Sequence, residues 1–281
     1  MIVSKTGKLQ LKGVDYGTMG NFFYQMAQLD MFTNQTTYKT LLSDFFPQAM
    51  QFYSGFMEGQ YCSLSRIYLS AISAAHVYTL LGQMNLGLAH SIAAVEAYAA
   101  YKDPSFLEWA IIAWGGGESN TLTEDSLRNG RISRNNITIK PTCSNLPMSG
   151  GTFGSNDSGS AYVNALATGS FMIASSVLAE ATQNQTYLNY ARNSKDFYVN
   201  HLRNSLGDML DGVSGDDCEP SDATSSPNNA GLVMEGLAVL MSVLKSDDVD
   251  RNLLEVVNKT VSNTEWHSSD GILQGENNLH R

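Results

Sequence analysis

Acidic side chains in and beside two loop-like stretches are the residues of this chain best suited to chemistry. Carboxyl groups act as general acids, general bases or nucleophiles when a fold brings them together. Asp211 precedes Gly212 in a Leu-Asp-Gly turn, and Glu235 stands in an otherwise apolar helix, where a lone carboxylate is costly unless it lines a cavity or is paired. We expect both to face a ligand; the alternatives are turn formation for Asp211 and a structural hydrogen bond for Glu235. The remaining candidates are Glu118, Asp157, Asp216, Asp217 and Asp222.

The other patterns that carry chemistry are absent from the sequence. The five histidines are scattered and form no metal-ligand spacing. The acidic run at residues 214–222 lacks the ligand spacing of an EF-hand and is interpreted as a solvated loop. Trp114 and the three glycines after it predict a helix stop, since they do not precede a helix as a phosphate loop does. We therefore expect no metal and no cofactor.

Charge and hydropathy exclude several classes of partner. The net charge is −10 and the isoelectric point is near 4.9. With basic residues so sparse, nucleic acid is not an expected partner. No apolar run reaches the roughly 20 residues of a membrane span, and residues 1–12 contain no apolar signal-peptide segment.

Sequons and cysteines nevertheless favour an extracellular origin. Five Asn-X-Ser/Thr motifs begin at Asn34, Asn136, Asn156, Asn184 and Asn258. Two of these asparagines, Asn34 and Asn184, fall in links between helices, where a glycan is tolerated. Three cysteines allow one disulfide, for which Cys143 and Cys218 are the expected pair because they lie in the two longest loops. The alternative to a disulfide is that all three cysteines, Cys62 included, are free thiols.

The helices that position these residues form a repeated pair. Four times an apolar helix ends in a short polar link and an amphipathic helix follows, at residues 26–46, 94–114, 177–198 and 239–261. The first helix of a pair is apolar nearly all round and the second has one polar face, so inner helices alternate with outer ones. A helical hairpin cannot bury its apolar side alone, and this pattern is typical of an all-α, (α/α) barrel.

The lengths of the connections give the barrel two different ends. Inner-to-outer links are short, whereas the outer-to-inner links, residues 115–159 and 206–228, are long. All long links then emerge at one end, beside the predicted starts of the inner helices at Asn85, Ser160 and Asn229. Long loops on a rigid scaffold are where binding sites are commonly built. The chain is expected to form a single domain over residues 1–281. Residues 61–83 fit no hairpin and are interpreted as an insertion or, alternatively, as a mis-spliced segment.

The order and spacing of five segments resemble glycoside hydrolase family 76, the endo-α-1,6-mannanases, in its divergent mushroom-type form. The resemblance covers residues 16–275 and implies an (α/α)6 six-hairpin barrel with a carbohydrate across the long-loop end. The segments are AAVEAYAAYKDPSFLEWA (93–110), SGGTF (149–153), LAEATQNQTYLNYA (178–191), LDG (210–212) and NNAGLVMEGLAVL (228–240).

The chain departs from the family at its catalytic position. Where the family has two adjacent aspartates at the start of an inner helix, this chain has Asn85 and Leu86. A retaining glycosidase needs two carboxyl groups, one as nucleophile and one as acid/base, and neither residue can serve. The resemblance also implies Phe153 as a platform for sugar rings, Asn229 as a ligand contact and His90 as a pocket wall.

Three functions follow from the sequence. In the first, Asp211 and Glu235 take over acid/base roles on a cell-wall α-mannan or a related polysaccharide. In the second, the chain is a catalytically inactive carbohydrate-binding or wall-associated protein, located outside the cell. In the third it is a non-functional gene fragment, since the family's final hairpins are missing and the barrel is incomplete at the C-terminus. An open barrel would also expose apolar flanks and favour self-association.

Overall fold

The structure, a computed structural model, describes residues 16–52, 84–129, 138–155, 160–221, 225–267 and 270–272. The predicted insertion at residues 61–83 lies outside the described residues, as do Asp157 and Asp222. The chain divides into two compact units. Unit 1 comprises residues 1–120 and 155–157, and unit 2 comprises residues 121–154 and 158–281.

Unit 1 is built from two helical hairpins. Its described helices are α1 (Tyr16–Thr33), α2 (Lys39–Phe52), α3 (Met84–Tyr101) and α4 (Pro104–Glu118). Helix α3 packs along both α1 and α4. The core is aromatic: the rings of Phe23 and Phe45 stack with their centroids 3.7 Å apart, and Phe46 lies against Phe106 at 5.8 Å. Short links at residues 34–38 and 102–103 join the helices of each hairpin, as the sequence predicts.

Helix α4 begins where its sequence predicts but ends later. Asp103 is the N-cap, accepting a hydrogen bond from the Ser105 N–H, and Pro104 follows it at the first helical position. The prediction that the helix stops at Trp114 and its glycines was wrong, because the helix continues to Glu118 and is capped by Ser119. Gly117 is buried there, so packing outweighs the low helix propensity of glycine.

Unit 2 is built around a buried helix. Its described helices are α5 (Glu124–Arg128), α6 (Ala165–Thr182), α7 (Gln185–His201), α8 (Pro227–Leu244) and α9 (Asp247–Ser262), and a 3-10 turn follows at Thr264–Trp266. Helix α6 packs against both α7 and α8, and α8 packs against α9. By length and composition α6 is able to cross a membrane, yet 78% of it is buried inside the protein. Such burial is expected of a core helix with apolar residues on every side.

Two short antiparallel ladders occupy the long connections of unit 2. Strand β1 (Thr142–Cys143) pairs with β2 (Leu146–Pro147), and β3 (Tyr162–Asn164) pairs with β4 (Gly212–Ser214). The predicted helix start at Ser160 was therefore wrong by five residues. The pairing with β4 holds residues 162–164 extended, and Asn164 then caps α6 by accepting a 2.9 Å hydrogen bond from the Ala167 N–H.

Connection lengths in unit 2 follow the predicted alternation. Residues 183–184 link α6 to α7 and residues 245–246 link α8 to α9, whereas residues 202–226 form a long connection from α7 to α8. The first residues of α6 and α8 therefore lie at the long-connection end of unit 2. The candidate site is built at this end.

Candidate functional site

Asp211 lies where the long connection of unit 2 meets the start of helix α6. Its backbone carbonyl accepts a 2.8 Å hydrogen bond from the N–H of Ala165, the first residue of α6. Strand β4 begins at the next residue, Gly212, and pairs with β3. The position of Asp211 is thus set by backbone contacts on both sides of the residue.

Two side chains hold the Asp211 carboxylate. The Tyr162 hydroxyl donates a hydrogen bond to Oδ2 at 2.5 Å, and the Asn229 amide Nδ2 donates one to Oδ1 at 3.0 Å. Asn229 is 4% exposed and lies in the first turn of α8. We call Tyr162, Asp211 and Asn229 the Asp211 cluster. It joins a strand, a loop and a helix that are far apart in sequence.

The electrostatics of the Asp211 cluster keep Tyr162 a donor. Burial raises the pKa of the Tyr162 hydroxyl, and the hydrogen bond to Asp211 raises this pKa further. The amide of Asn229 cannot titrate, so both donors keep their protons at neutral pH. A carboxylate has about four acceptor sites, of which these two donors occupy two. The Asp211 carboxylate can therefore still accept hydrogen bonds from hydroxyl groups of a ligand.

Gly212 is required by its contact with Tyr162. A Cβ atom at residue 212 would lie 2.5 Å from Cζ of Tyr162 and 2.5 Å from the Val163 carbonyl oxygen. Such distances are shorter than any normal contact, so a larger residue would displace the tyrosine ring or the strand. The glycine of the Leu-Asp-Gly segment thus serves close packing, in addition to any turn.

A disulfide braces the segment that follows Asp211. Cys143 and Cys218 are bonded, with Cα atoms 5.6 Å apart. The Lys140 N–H donates a hydrogen bond to the Gly215 carbonyl at 2.8 Å, and the Ser221 N–H donates one to the Gly212 carbonyl at 2.9 Å. The connection around residues 212–221 is thereby tied to the loop that carries β1 and to its own first residue.

The carboxylates of this braced segment face solvent. Asp216 and Asp217 are exposed. A hydrogen bond from the Ser214 hydroxyl lowers the pKa of Asp216, and Asp217 accepts a 2.9 Å hydrogen bond from the Glu219 N–H. Within the part of the chain that the structure describes, no three His, Cys, Asp or Glu side chains are grouped so that they could hold a metal ion.

Phe153 and His90 do not stand where the sequence analysis expected them. Phe153 is 6% exposed and lies in the core of unit 2, so its ring is covered by protein and is not an open platform for a sugar. His90 is fully buried in unit 1, with its ring 5.6 Å from that of Phe45, as in a core position and not a pocket wall. In both places packing on neighbouring elements takes the apolar surface that a ligand would need.

The matched Ser-Gly-Gly-Thr-Phe segment has a packing role. Gly150 has a φ of +96°, and a Cβ atom there would lie 2.0 Å from the Asn193 carbonyl oxygen of α7. A Cβ atom on Gly151 would lie 2.5 Å from the Phe197 ring. Only glycine allows the chain to cross α7 so closely.

The remaining predicted residues lie outside the Asp211 cluster. Asn85 and Leu86 lie in the first turn of α3, in unit 1, and the structure does not describe their side chains. Glu118 ends α4 in the same unit. Glu235 is partly buried in α8, two turns after Asn229. The roles predicted for Asn85, Leu86 and Glu235 stay predictions.

A cavity of about 400 Å³ adjoins the Asp211 cluster in unit 2. Its lining includes Leu210 and Ala230, the sequence neighbours of Asp211 and Asn229. Lys259 and Asp208, which also line it, form an ion pair of 3.2 Å. This polar lining suits a ligand rich in hydroxyl groups.

Tyr162 is the residue of the candidate site that the sequence analysis missed. Its segment was interpreted as the beginning of a buried helix, in which a tyrosine is one more apolar contact. The pairing of β3 with β4 turns the residue towards Asp211, and such a long-range pairing leaves no local signal in so short a strand.

The paired helices and the polar cluster at their long-connection end define a helical-hairpin protein with a candidate site for a hydroxyl-rich ligand. By sequence, residues 151–277 match the model of glycosyl hydrolase family 76. The resemblance to this family is confirmed. No curated protein matches the sequence of the chain.

Solved structures show the fold. The chain is similar to a GH76 α-mannanase of Bacteroides thetaiotaomicron, with a TM-score of 0.60, 15% identity, and 91% of this chain and 62% of that one covered. It is similar to Dfg5 of Chaetomium thermophilum in complex with glucosamine, with a TM-score of 0.62, 15% identity, and 95% and 58% covered.

A third similar structure is an inactive variant of the α-1,6-mannanase GH76A of Salegentibacter sp. HEL1_6, in complex with α-1,6-mannotriose. The TM-score is 0.54 at 17% identity, with 69% of this chain and 51% of that one covered. The predicted fold class, the all-α hairpin barrel, is confirmed by these likenesses. The chain spans between about half and two thirds of the length of the three structures.

Proposed function

We propose that this chain binds α-mannan-type polysaccharide at the Asp211 cluster and does not hydrolyse it. The observation that carries the proposal is the Asp211 carboxylate, held by the Tyr162 hydroxyl at 2.5 Å and the Asn229 amide at 3.0 Å. Its orientation is fixed before any ligand arrives, so a hydroxyl group that reaches it loses little to reorganisation.

The sugar class comes from the similar proteins. Two of them are named as α-mannanases, and one of these is in complex with α-1,6-mannotriose. Vicinal hydroxyl groups are the recognition elements of such an oligosaccharide, and carboxylates and amides are suitable partners for them. Asp211 offers the acceptor and Asn229 fixes it, beside a polar cavity of about 400 Å³.

The absence of hydrolysis rests on the predicted catalytic position. In the inactive Salegentibacter variant, two adjacent aspartates are each replaced by asparagine. This chain has Asn85 and Leu86 where the family resemblance places the pair. Loss of a positioned acid/base alone costs roughly 10²–10⁴ in rate. Without a nucleophile as well, binding is the activity that remains.

The disulfide supports a location outside the cell. Cys143 and Cys218 are bonded in unit 2, and such bonds persist in oxidising compartments. We place the protein at the cell surface or in the cell wall, where α-mannan is found in fungi. This location rests on the family resemblance and on the disulfide together.

Titration calorimetry with α-1,6-mannotriose tests the binding. Asp211→Asn is expected to weaken the affinity by roughly 10–100-fold, since a hydrogen bond to a charged group contributes about 1.5–3 kcal/mol. Asp217→Asn is the matched control. It removes the same charge from an exposed position on the same connection and should leave the affinity unchanged.

A reducing-end assay on α-1,6-mannan tests the chemistry. We expect no release of sugar by the natural chain. Release that disappears in Asp211→Asn would show that Asp211 takes part in hydrolysis and would overturn the second half of the proposal. Equal affinity of the natural chain and of a folded Asp211→Asn variant would overturn the first half.

A further inference from the structure

We propose that Asn184 is an N-glycan acceptor in the folded chain and that Asn258, which carries the same motif, is not. Both begin an Asn-X-Thr sequence, Asn184-Gln185-Thr186 and Asn258-Lys259-Thr260. The two motifs lie in unit 2 but in different surroundings, so the fold decides between them.

The conformation of Asn184 presents its amide nitrogen to solvent. Asn184 is the N-cap of α7, and its Oδ1 accepts a 2.9 Å hydrogen bond from the Thr186 N–H. Within the described part of the chain, its Nδ2 donates no hydrogen bond. Asn184, Gln185 and Thr186 are all exposed. This Asx turn brings the threonine alongside the acceptor amide and leaves Nδ2 open to a donor.

Asn258 cannot offer the same arrangement. It lies in the fourth turn of α9, where the helical backbone fixes all three residues of the motif. Thr260 is only 4% exposed, so its hydroxyl is covered by protein. A transferase that must hold both the asparagine and the threonine of the motif would have to unwind the helix first.

The transfer needs a donor that the secretory lumen supplies, a lipid-pyrophosphate-linked oligosaccharide. A bond forms between Nδ2 of Asn184 and the anomeric carbon of the first sugar, and the bond from that carbon to the phosphate oxygen breaks. Nδ2 gives up one proton and the lipid pyrophosphate leaves. Oδ1 is not consumed, so the cap on Thr186 is retained after transfer.

The disulfide and the distance to the Asp211 cluster agree with this site. The Cys143–Cys218 bond forms in an oxidising lumen, which is also where such glycans are added. Asn184 is at the short-link end of unit 2, and the 17-residue helix α7 separates it from the long connection by roughly 25 Å at 1.5 Å per residue. A glycan on Asn184 therefore leaves the Asp211 cluster open.

The experiment compares the folded chain with the unfolded chain as acceptors. Each is incubated with an oligosaccharyltransferase and the lipid-linked donor, and the attachment sites are mapped by peptide mass spectrometry. In the unfolded, reduced chain both Asn184 and Asn258 should be modified. In the folded chain Asn184 should be modified and Asn258 should not. An unmodified Asn184, or a modified Asn258, in the folded chain overturns the proposal.

Two variants separate the motif from the fold. Gln185→Pro places proline at the first position of α7, where the helix tolerates it, and proline at this position abolishes the sequon. Asn184→Asp keeps an oxygen to cap Thr186 but has no amide. Both should lose the glycan at residue 184 with the thermal unfolding midpoint unchanged. A glycan that persists on Gln185→Pro would contradict the assignment.

Discussion

The Tyr101 hydroxyl donates a 2.8 Å hydrogen bond to the carboxylate of Asp30, which is only 1% exposed. The same carboxylate oxygen, Oδ2, accepts a 2.7 Å hydrogen bond from the Tyr38 N–H. Asp30 lies in α1 and Tyr101 ends α3, so the contact joins the two packed helices of unit 1 beside the short link to α2. Burial raises the pKa of Tyr101, and the contact with Asp30 raises it further.

Replacing Tyr101 by phenylalanine is expected to destabilise unit 1. The change leaves a buried carboxylate with one donor fewer, at a cost of about 1–3 kcal/mol in the free energy of unfolding. Urea unfolding followed by circular dichroism measures it. Tyr98→Phe, one turn earlier on α3, is the control, because the Tyr98 hydroxyl makes no hydrogen bond among the described contacts. Equal midpoints for the two variants would contradict a stabilising role for the Asp30 contact.

Two glycines of helix α8 should respond differently to alanine. Apart from the neighbouring backbone of α8 itself, no atom lies within 4 Å of the position of a Cβ on Gly231. Gly231→Ala should therefore stabilise the chain by about 0.5–1 kcal/mol through helix propensity. A Cβ on Gly236 would lie 2.8 Å from Cε of Met172 and 3.1 Å from its Cγ. Gly236→Ala must displace that side chain and should be neutral or destabilising by about 1 kcal/mol. Thermal unfolding midpoints in the reverse order would refute this account of α8 packing.

The stability of unit 2 should fall as the pH drops below about 6.5. Burial lowers the pKa of His201 below its ordinary value of 6.5, partly opposed by the 2.8 Å hydrogen bond with the Pro147 carbonyl. Between the folded and unfolded pKa values the unfolded chain binds a proton that the folded chain does not, so lower pH favours unfolding. Well above pH 6.5 the histidine is neutral in both states and contributes no slope. Unfolding midpoints from about pH 5 to 8 should show this loss, and His201→Gln should reduce it. A constant difference between variant and natural chain over that range would exclude His201 as the cause.

Much of the helical framework could be predicted because its signals are local. The short link at residues 183–184 follows from the polar Gln183 and Asn184 between two helical patterns, and the long connection from its Gly, Ser and Asp content. The buried character of α6 follows from apolar and small residues at every angle around the helix. The helix ends were less predictable. Helix α4 continues through the glycines near residue 115 because tertiary packing overrides their low helix propensity. Helix α6 does not begin at residue 160 because residues 162–164 pair with strand β4.

The candidate site was predictable only in part. Asp211 and Asn229 were chosen from the sequence, and the structure places them 3.0 Å apart between Oδ1 and Nδ2. Tyr162 was not chosen, because its contact with Asp211 spans 49 residues and depends on the pairing of β3 with β4. Phe153 was misjudged because its type alone does not reveal that neighbouring elements cover the ring. Residue type suggests what a side chain can do, whereas burial decides whether a ligand can reach it.

Reduction of the disulfide should lower the stability of unit 2. Cys143 and Cys218 are 75 residues apart in sequence, and a cross-link over so long a loop typically contributes about 2–4 kcal/mol by restricting the unfolded chain. The thermal midpoint of the natural chain is therefore expected to fall when a reductant is added. The double variant Cys143→Ser/Cys218→Ser should start from the lower midpoint and not respond to reductant, which excludes an effect at Cys62. A natural chain whose midpoint is the same with and without reductant would show that the bond does not brace the fold, and the braced position of Asp211 would then rest on the backbone hydrogen bonds of β3 and β4 alone.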